Sequence, residues 1–210
     1  MSDILNKILA VKREEVAAAR AVVSAILRDE GFHGELGWEL HVPMESAVEV
    51  YEELRGAGEE FGMIDFGYRA LDSMRLEKGY RYWSADITPE YNPYEAGLGF
   101  CVALNKGDFL GREALVRAKA AGIQRRLCLF TIDTPLRLQG GETIFREGKV
   151  LGTVTSGGYG YSIEKTIAYG YLPLAEAGHS EYQIEAYCEP HPAVRHDRVL
   201  YDPERRKVLA

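Results

Sequence analysis

The sequence predicts an α+β fold in which a helical lead and an α/β segment precede a small antiparallel β-barrel. Three observations support this prediction. Apolar residues recur at helical spacing through the first 30 residues, strand-like and helix-like runs then alternate, and short β-rich runs follow one another after Gly122. Only glycine, proline or charged turns separate these last runs, and closely spaced strands with no helix between them are typical of a small barrel or sandwich.

The N-terminal segment has its own residue pattern. From Ile4 to Leu27 apolar residues recur at helical spacing among alanines and charges, and no glycine or proline interrupts before Gly31. This pattern predicts one long helix or two consecutive helices. The opening MSDILNKILAVKREEVAAAR resembles the leading helix of indole-3-glycerol phosphate synthases. A barrel of that class needs roughly 250 residues, more than the 210 present, so the resemblance does not extend to that activity.

A strand and a helix are predicted next. Residues 36–42 (LGWELHV) place an apolar side chain at every second position, which is the alternation of a half-buried strand, and Pro43 ends the run. A helix is then expected from Glu45 to Ala57. Its apolar residues lie on one face, and Gly58 provides a C-terminal stop.

Two further helices and a short strand complete the α/β segment. The first helix is expected to begin at Asp65 as its N-cap and to end at Gly79. Its buried face is expected to contain Tyr68, Leu71 and Met74. A short apolar strand is expected near Leu98 to Leu104, and GREALVRAKAAG predicts a helix from Gly111 to Ala121.

Five strands are predicted in the C-terminal part, namely LCLFTI, ETIF, LGTVTS, TIAYGYL and YQIEAY. The glycines at positions 157, 158 and 160 suggest a phosphate-binding loop at first sight. Such a loop requires a following Lys-Ser/Thr and a helix N-terminus, or a βαβ unit. Here Tyr161 and Ser162 lead into another strand, and this context favours a hairpin turn.

Composition excludes several functional classes. The chain has 25 Lys and Arg against 32 Asp and Glu, a net charge of −7, so it lacks the basic surface of a nucleic-acid-binding protein. No uncharged stretch approaches the roughly 18 residues of a membrane span. The three cysteines form no CxxC motif, which favours reduced thiols and a cytoplasmic location. Cys188 and His191 lack two further ligands for zinc, so no metal site is predicted.

Glu39 is the most informative candidate residue. It lies in the middle of the predicted strand within GFHGELGWELHVP, on the face shared with Gly37 and His41. One interpretation is that Glu39 faces water on a half-exposed strand. The other is that its carboxylate, beside a surface kept open by glycine, accepts two parallel hydrogen bonds from a flat ligand such as a pterin.

Six motifs in a fixed order then resemble a known family. They are GELGWELHVP, ALDSMRLEKGYRYWSADITP, EAGLGF, KGDFLGREAL, GTVTSGGYG and IAYGYLP. Together they resemble the C-terminal folate-binding region of dimethylglycine and sarcosine dehydrogenases, which is similar to the glycine cleavage T-protein, an aminomethyltransferase. The resemblance extends from about Gly34 to the C-terminus, and it implies tetrahydrofolate as cofactor and transfer of a one-carbon unit to it.

The resemblance implies four cofactor-binding positions, and no catalytic residue is assigned. They are Glu39, Phe32, Arg75 and Trp83. The family's pterin-binding glutamate matches Glu39, and a family tyrosine falls on Phe32, which lacks the hydroxyl. The arginine that heads the T-protein's RDSLRLE motif falls on Leu71, as it does in the dehydrogenase-type pattern ALDS. Arg75 is retained in that motif, and it also has a structural interpretation as the partner of Asp72 on one helix face.

The resemblance also predicts the domain limits. They are a helical lead of different origin over 1–30, a partial folate-binding α/β module over 31–123 and a barrel over 124–210. The family's acidic catalytic residue belongs to an N-terminal half with no counterpart in this sequence, so the chain is expected to be truncated or fused near Phe32. The iron–sulfur maturation branch of the family carries KGCxxGQE, and KGDFLGREA at that place argues against it.

The predicted function is therefore that of a tetrahydrofolate-binding, aminomethyltransferase-like protein of one-carbon metabolism. Its partners are expected to be folate and a small methylamine- or glycine-derived donor, with no nucleic acid and no membrane. The alternative is a non-catalytic folate-binding or partner-docking module. Little transferase activity is expected from the chain alone. The N-terminal helix is expected to cover the apolar face of the module, or that face is expected to mediate self-association.

Overall fold

The computed structural model describes residues 25–29 and 37–209, which fall into two compact units. Unit 1 takes residues 1–68 and 206–210, and unit 2 takes residues 69–205. This division does not coincide with the limits at residues 30 and 123 expected from the sequence, which stay predictions. Within the described ranges, no helix is long and apolar enough to cross a membrane.

Unit 1 contains a two-stranded antiparallel hairpin. Strand β1 (Ala25–Asp29) pairs with β2 (Gly37–His41), and Leu27 lies opposite Glu39. The strand predicted over residues 36–42 is confirmed as β2. The helix predicted up to Leu27 is wrong at its C-terminal end, because Ala25–Leu27 belong to β1, and the rest of that helix lies outside the described residues. Periodicity alone does not distinguish a short apolar strand from the end of a helix. In this segment the pairing with β2 shows that the residues form a strand.

The helix of unit 1, α1 (Ala47–Gly58), follows a 3-10 turn over Met44–Ser46. It confirms the helix predicted from Glu45 to Ala57 to within two residues. A second 3-10 turn at Glu59–Phe61 ends at Gly62, whose positive φ of 68° suits glycine. Asp65 is not the N-cap of the next helix, as the sequence suggested. Its carboxylate instead accepts hydrogen bonds from the Tyr51 hydroxyl, at 2.9 Å, and from Arg55.

Unit 2 begins within helix α2 (Tyr68–Lys78), which packs on the barrel. The face expected to be buried, with Tyr68, Leu71 and Met74, is wrong. Tyr68 is 88% exposed and the other two are partly exposed. The buried stretch is Arg75 to Lys78, in which Leu76 packs against the barrel. The three charged side chains of this stretch are buried because each has a partner in unit 2.

Between α2 and the barrel, helix α3 (Arg112–Ala121) agrees with the helix predicted from Gly111 to Ala121. The strand expected near Leu98 to Leu104 is wrong. Its place is taken by a 3-10 turn at Gly99–Cys101. Gly97 has a positive φ of 70°, and such a residue immediately before the run favours a turn over a strand.

The barrel is closed and has the strand order β3-β6-β5-β4-β7-β8, with every pair antiparallel. The six strands are β3 (Arg125–Ile132), β4 (Thr143–Arg146), β5 (Lys149–Gly160), β6 (Lys165–Pro173), β7 (Glu181–Ala186) and β8 (Glu189–His196). The predicted α+β fold with a small antiparallel barrel is confirmed, and the five predicted strands correspond to β3–β7.

The barrel core is apolar and tightly packed. Phe130, Ile144, Leu172 and Ile184 are completely buried in it. Strand β6 is buried on both faces, because Ala168 and its inward neighbours face the core while the outward residues lie under α2. The outward set is Ile167 and Tyr169, packed against Leu76. This two-sided burial fixes α2 on the barrel.

The glycine cluster lies within β5. Gly157, Gly158 and Gly160 are strand residues paired with β6, and the chain turns only after Gly160. The hairpin-turn interpretation is therefore wrong for these three positions. A Cβ on Gly158 would lie 3.0 Å from Leu76, and a Cβ on Gly160 would lie 2.9 Å from Glu77. The glycines allow α2 to approach the strand closely.

Candidate functional site

The backbone around Glu39 places it at the centre of β2, two residues from each end of the strand. Leu27 of β1 is its cross-strand partner. A central strand position has its backbone fixed by pairing, so the residue is presented from a regular element rather than from a loop. Phe32, the other predicted residue of this segment, lies outside the described residues.

Arg75 lies on α2 and is buried, with 4% of its surface exposed. Its Nε donates to Asp72 Oδ1 at 2.6 Å, which confirms the pairing on one helix face expected from the sequence. Its Nη1 donates to Asp86 Oδ2 at 2.9 Å, to the Tyr80 carbonyl oxygen at 3.2 Å and to Ser156 Oγ at 3.2 Å. The guanidinium is therefore committed to contacts within the protein through two of its nitrogens.

Asp86 is the centre of this buried network and is completely buried. Besides Arg75, its carboxylate accepts hydrogen bonds from the Ser156 hydroxyl at 2.6 Å, from the Thr155 hydroxyl and from the Tyr82 backbone N–H at 2.9 Å. A buried charge is tolerated when it is paired and its lone pairs are satisfied. Asp86 meets both conditions, and it thereby joins α2, β5 and the segment between them.

Trp83 lies in a tight turn that Asp86 holds. Within this turn Asp86 and Ile87 donate backbone N–H groups to the Tyr82 carbonyl, at 2.9 and 3.1 Å. Trp83 itself is 67% exposed. The Arg75 guanidinium carbon lies 5.3 Å from the Tyr82 ring centroid. The structure thus brings Arg75 next to the turn that carries Trp83, and it presents an exposed indole on a rigid support.

Two tyrosine hydroxyls of β6 donate hydrogen bonds to backbone carbonyls of α2 and of the turn that carries Trp83. Tyr171 Oη donates to the Asp86 carbonyl oxygen at 2.8 Å, and Tyr169 Oη donates to the Leu76 carbonyl oxygen at 3.0 Å. Burial raises the pKa of both hydroxyls above the ordinary value for tyrosine, and for Tyr171 the neighbouring Tyr91 and Asp86 add to the rise. Both phenols therefore remain neutral hydrogen-bond donors at physiological pH.

Sequence reasoning missed Asp86, Ser156 and Glu77 as buried polar residues. Glu77 Oε1 accepts the backbone N–H of Ser162 at 2.6 Å, so this carboxylate anchors the turn between β5 and β6. Asp86 lies in a polar, proline-punctuated segment whose composition indicates a solvated loop. Ser156 follows the apolar Val154 by two residues, and this strand period was the one signal that could have placed Ser156 inside.

Metal binding gains no support from the described ranges, in which no group of three or more His, Cys, Asp or Glu residues is placed to hold an ion. Glu39 belongs to unit 1, whereas Arg75 and Trp83 belong to unit 2. The described candidates therefore belong to different units, with Glu39 on the hairpin of unit 1 and the other two on α2 and the following turn of unit 2.

A small barrel that follows an α/β segment, together with the six sequence motifs, indicates a class of protein. Comparison with known families identifies that class. Residues 4–106 match the GCVT N-terminal domain, and residues 125–202 match the glycine cleavage T-protein C-terminal barrel domain. The first match begins at residue 4 and so includes the N-terminal segment for which the sequence suggested a different origin. Together the two matches span most of the chain, which belongs to the glycine cleavage T-protein family.

Individual relatives agree with this assignment. Human mitochondrial sarcosine dehydrogenase is 43% identical over 84% of this chain and 20% of its own length. Human mitochondrial dimethylglycine dehydrogenase is 38% identical over 99% of this chain and 24% of its own length. The crystal structure of glycine cleavage system aminomethyltransferase T from Bartonella henselae superposes with a TM-score of 0.73 at 31% identity, covering 81% of this chain and 48% of that one.

These similarities confirm the predicted resemblance to the dehydrogenases and to the T-protein. The chain spans about a fifth to a quarter of the two dehydrogenases and about half of the solved aminomethyltransferase. Both dehydrogenases are named as mitochondrial, so the cytoplasmic location expected from the sequence gains no support from them and stays a prediction.

Proposed function

We propose that this chain binds tetrahydrofolate and serves as the folate-binding part of an aminomethyltransferase-type reaction. The observation that carries the proposal is the position of Glu39, which lies at the centre of β2 inside the segment that matches the T-protein N-terminal domain. A carboxylate held on a strand is suited to accept the ring N–H and the exocyclic amine of a pterin in parallel.

The proposed reaction transfers a methylene group at the oxidation level of an iminium ion from a methylamine- or glycine-derived donor. Two folate nitrogens would each form a bond to the iminium carbon while both bonds from that carbon to the donor nitrogen break, and the amine would leave with the two protons that the folate nitrogens lose. The protein's contribution is to orient the pterin and to manage these protons. That the donor is a methylamine- or glycine-derived amine is part of this proposal.

The proposal is tested by calorimetric titration of the chain with tetrahydrofolate under anaerobic conditions. Glu39→Gln keeps the size of the side chain but removes its charge, and it should weaken binding by about 1.5–3 kcal/mol, the contribution of a hydrogen bond to a charged group. This corresponds to roughly a tenfold to a hundredfold rise in Kd. Glu49→Gln, on the exposed surface of α1 in the same unit, is the matched control and should bind like the parent.

Equal affinity in Glu39→Gln and the parent would contradict the assignment of Glu39. An equal loss in Glu49→Gln would show that the titration reports the general charge of unit 1. A melting temperature measured for each variant separates lost binding from lost folding. Trp83→Ala is tested in the same way, because Trp83 was predicted as a second folate-binding residue and its indole is accessible.

A second candidate function is a module that binds folate without turnover. It is favoured because only cofactor-binding residues, and no catalytic residue, are assigned in this sequence. Arg75, whose Nε and Nη1 are committed inside the protein, does not decide between the two functions. An assay for methylene-tetrahydrofolate formation distinguishes the two functions. Turnover near that of a full-length aminomethyltransferase supports the enzyme, and tight binding with no turnover supports the module.

A further inference from the structure

A cleft of about 320 Å3 opens in unit 2, and none of the residues predicted to bind folate lines it. It lies where the start of β3, the end of β6 and the first half of β5 come together. Its accessible apolar part is formed by Pro173 and Tyr91, and its polar part by Gln124, Arg125 and Thr153, while Leu151 and Leu172 of its lining belong to the buried barrel core. The volume is at the lower end of the range for small-molecule sites, which also combine apolar walls with a few polar groups.

A layered stack forms one side of the cleft. The Tyr91 ring lies on the Tyr171 ring, with centroids 3.6 Å apart and planes inclined by 10°. The Arg125 guanidinium carbon lies 5.4 Å from the Tyr91 ring centroid. Tyr171 is itself fixed by its hydrogen bond to the Asp86 carbonyl oxygen. The stack places Arg125 over an aromatic face, so less side-chain entropy is lost when the guanidinium binds a ligand.

The donors of Arg125 are not used within the described part of the chain. Arg125 forms a long ion pair with Glu95, in which Nε lies 3.9 Å from Glu95 Oε1, beyond hydrogen-bonding distance. Glu95 instead accepts a hydrogen bond from the Asn92 backbone N–H through Oε2, at 3.3 Å. Among the described residues, none accepts a hydrogen bond from the Arg125 side chain. A guanidinium with free, coplanar N–H groups is suited to bidentate binding of a carboxylate.

We propose that this cleft binds a small organic carboxylate. The carboxylate group is held by Arg125, and the apolar body of the ligand lies against Pro173 and Tyr91. Glu95 lies near Arg125 and partly offsets its positive charge. The affinity of the cleft for the carboxylate is therefore modest, and it rises when Glu95 is neutralised. All residues involved belong to unit 2, so the proposal does not depend on folate binding at Glu39.

The test is a titration of the whole chain with sodium benzoate at low ionic strength, followed by calorimetry or by NMR. Benzoate is expected to bind with a Kd on the order of 1 mM, as befits a ligand of its size. Benzyl alcohol has a similar ring without the charge, and it should bind at least about tenfold more weakly. Arg125→Gln should lose at least about tenfold in benzoate affinity, whereas Glu95→Gln should gain severalfold.

Arg126→Gln is the matched control. Arg126 is the next residue of β3 and is exposed, and successive side chains of a strand point to opposite faces. Its removal changes the net charge as Arg125→Gln does but leaves the cleft intact, so benzoate affinity should be retained. Equal affinity in Arg125→Gln and the parent, or equal losses in both arginine variants, would overturn the proposal. No saturable benzoate binding to the parent would overturn it as well.

Discussion

Unit 1 and unit 2 differ in how far their described residues bury apolar side chains. In unit 2, Phe130, Ile144 and Leu172 are completely buried in the barrel. In unit 1, the one buried residue of α1 is Gly58. Large apolar side chains of unit 1 are exposed, namely Met44, Val48, Tyr51, Ile64, Phe66 and Tyr68. The described part of unit 2 thus contains a buried apolar core, whereas none of the apolar side chains whose burial is described in unit 1 is buried. Exposed apolar side chains occur in both units, among them Phe100 and Leu110 of unit 2.

This difference bears on function because the two units carry different candidates. Glu39 belongs to the unit whose described apolar side chains are not buried, and the Asp86 network belongs to the unit with the buried core. The expectation that the N-terminal segment covers an apolar face, or that this face mediates self-association, stays a prediction.

The largest difference is expected when apolar side chains are truncated. Phe130→Ala removes a completely buried ring that contacts Tyr182 edge-on, with the two ring centroids 5.3 Å apart. Unfolding of unit 2 should become about 3–5 kcal/mol easier, because the transfer energy is lost and a cavity remains. Val48→Ala in α1, where Val48 is 68% exposed, should change stability by no more than about 0.5 kcal/mol. Urea unfolding followed by circular dichroism measures both, and similar losses would refute the contrast.

The second difference concerns two Arg–Asp ion pairs. In unit 2 the Arg75–Asp86 pair is buried, with side-chain exposures of 5% and 0%. Asp86→Ala leaves the guanidinium buried with fewer partners, so it should cost about 3 kcal/mol or more. In unit 1 the Arg55–Asp65 pair is half exposed, and Asp65→Ala should cost no more than about 1 kcal/mol. Denaturant midpoints of the two variants provide the comparison, and a larger shift for Asp65→Ala would reverse it.

The third difference concerns glycines. A Cβ at Gly170 of β6 would lie 2.4 Å from Ile144 Cδ1 and 2.7 Å from the Thr153 carbonyl oxygen. Gly170→Ala should therefore destabilise unit 2 by about 1–3 kcal/mol through overpacking. Gly56 lies in α1 with no atom within 4 Å of such a Cβ, so Gly56→Ala should stabilise the helix by about 0.5–1 kcal/mol. Melting temperatures should thus shift in opposite directions, and a shift in the same direction would contradict the packing argument.

The barrel strands show which elements the sequence could predict and which it could not. Strands β3–β7 alternate or run apolar between clear turn residues, so each was expected. Strand β8 was missed because Pro190 and Pro192 argue against a strand. These two prolines pair only with β7, since β8 meets β3 only over residues 194–196. Proline is tolerated where a strand has one unpaired edge.

The candidate site was predictable only in part. The alternation around Glu39 marked a strand, and β2 confirmed it. Asp86 could not be found, because an aspartate in a polar loop is usually solvated and its burial depends on Arg75, which lies 11 residues earlier in the chain. Interactions of this kind follow from how α2 packs on the barrel, which no local pattern encodes.

The smallest effect expected is a pH dependence that arises in unit 2 from His196. Its Nε2 lies 2.8 Å from Thr131 Oγ1. Burial lowers the pKa of His196 below its ordinary value, and the positive charges of Lys165 and Arg195 lower it further, against the opposing effect of Asp197. As the pH falls below about 6.5, the unfolded chain therefore takes up the proton first. The stabilising contribution is complete above that pH and is lost as the pH falls through the folded-state pKa. Urea unfolding at pH 7.5 and 5.5 should show a loss at the lower pH that is reduced in His196→Gln. Lys165→Gln should reduce it partly, because one of the repelling charges is gone. An unchanged loss in His196→Gln would assign the pH dependence to another group.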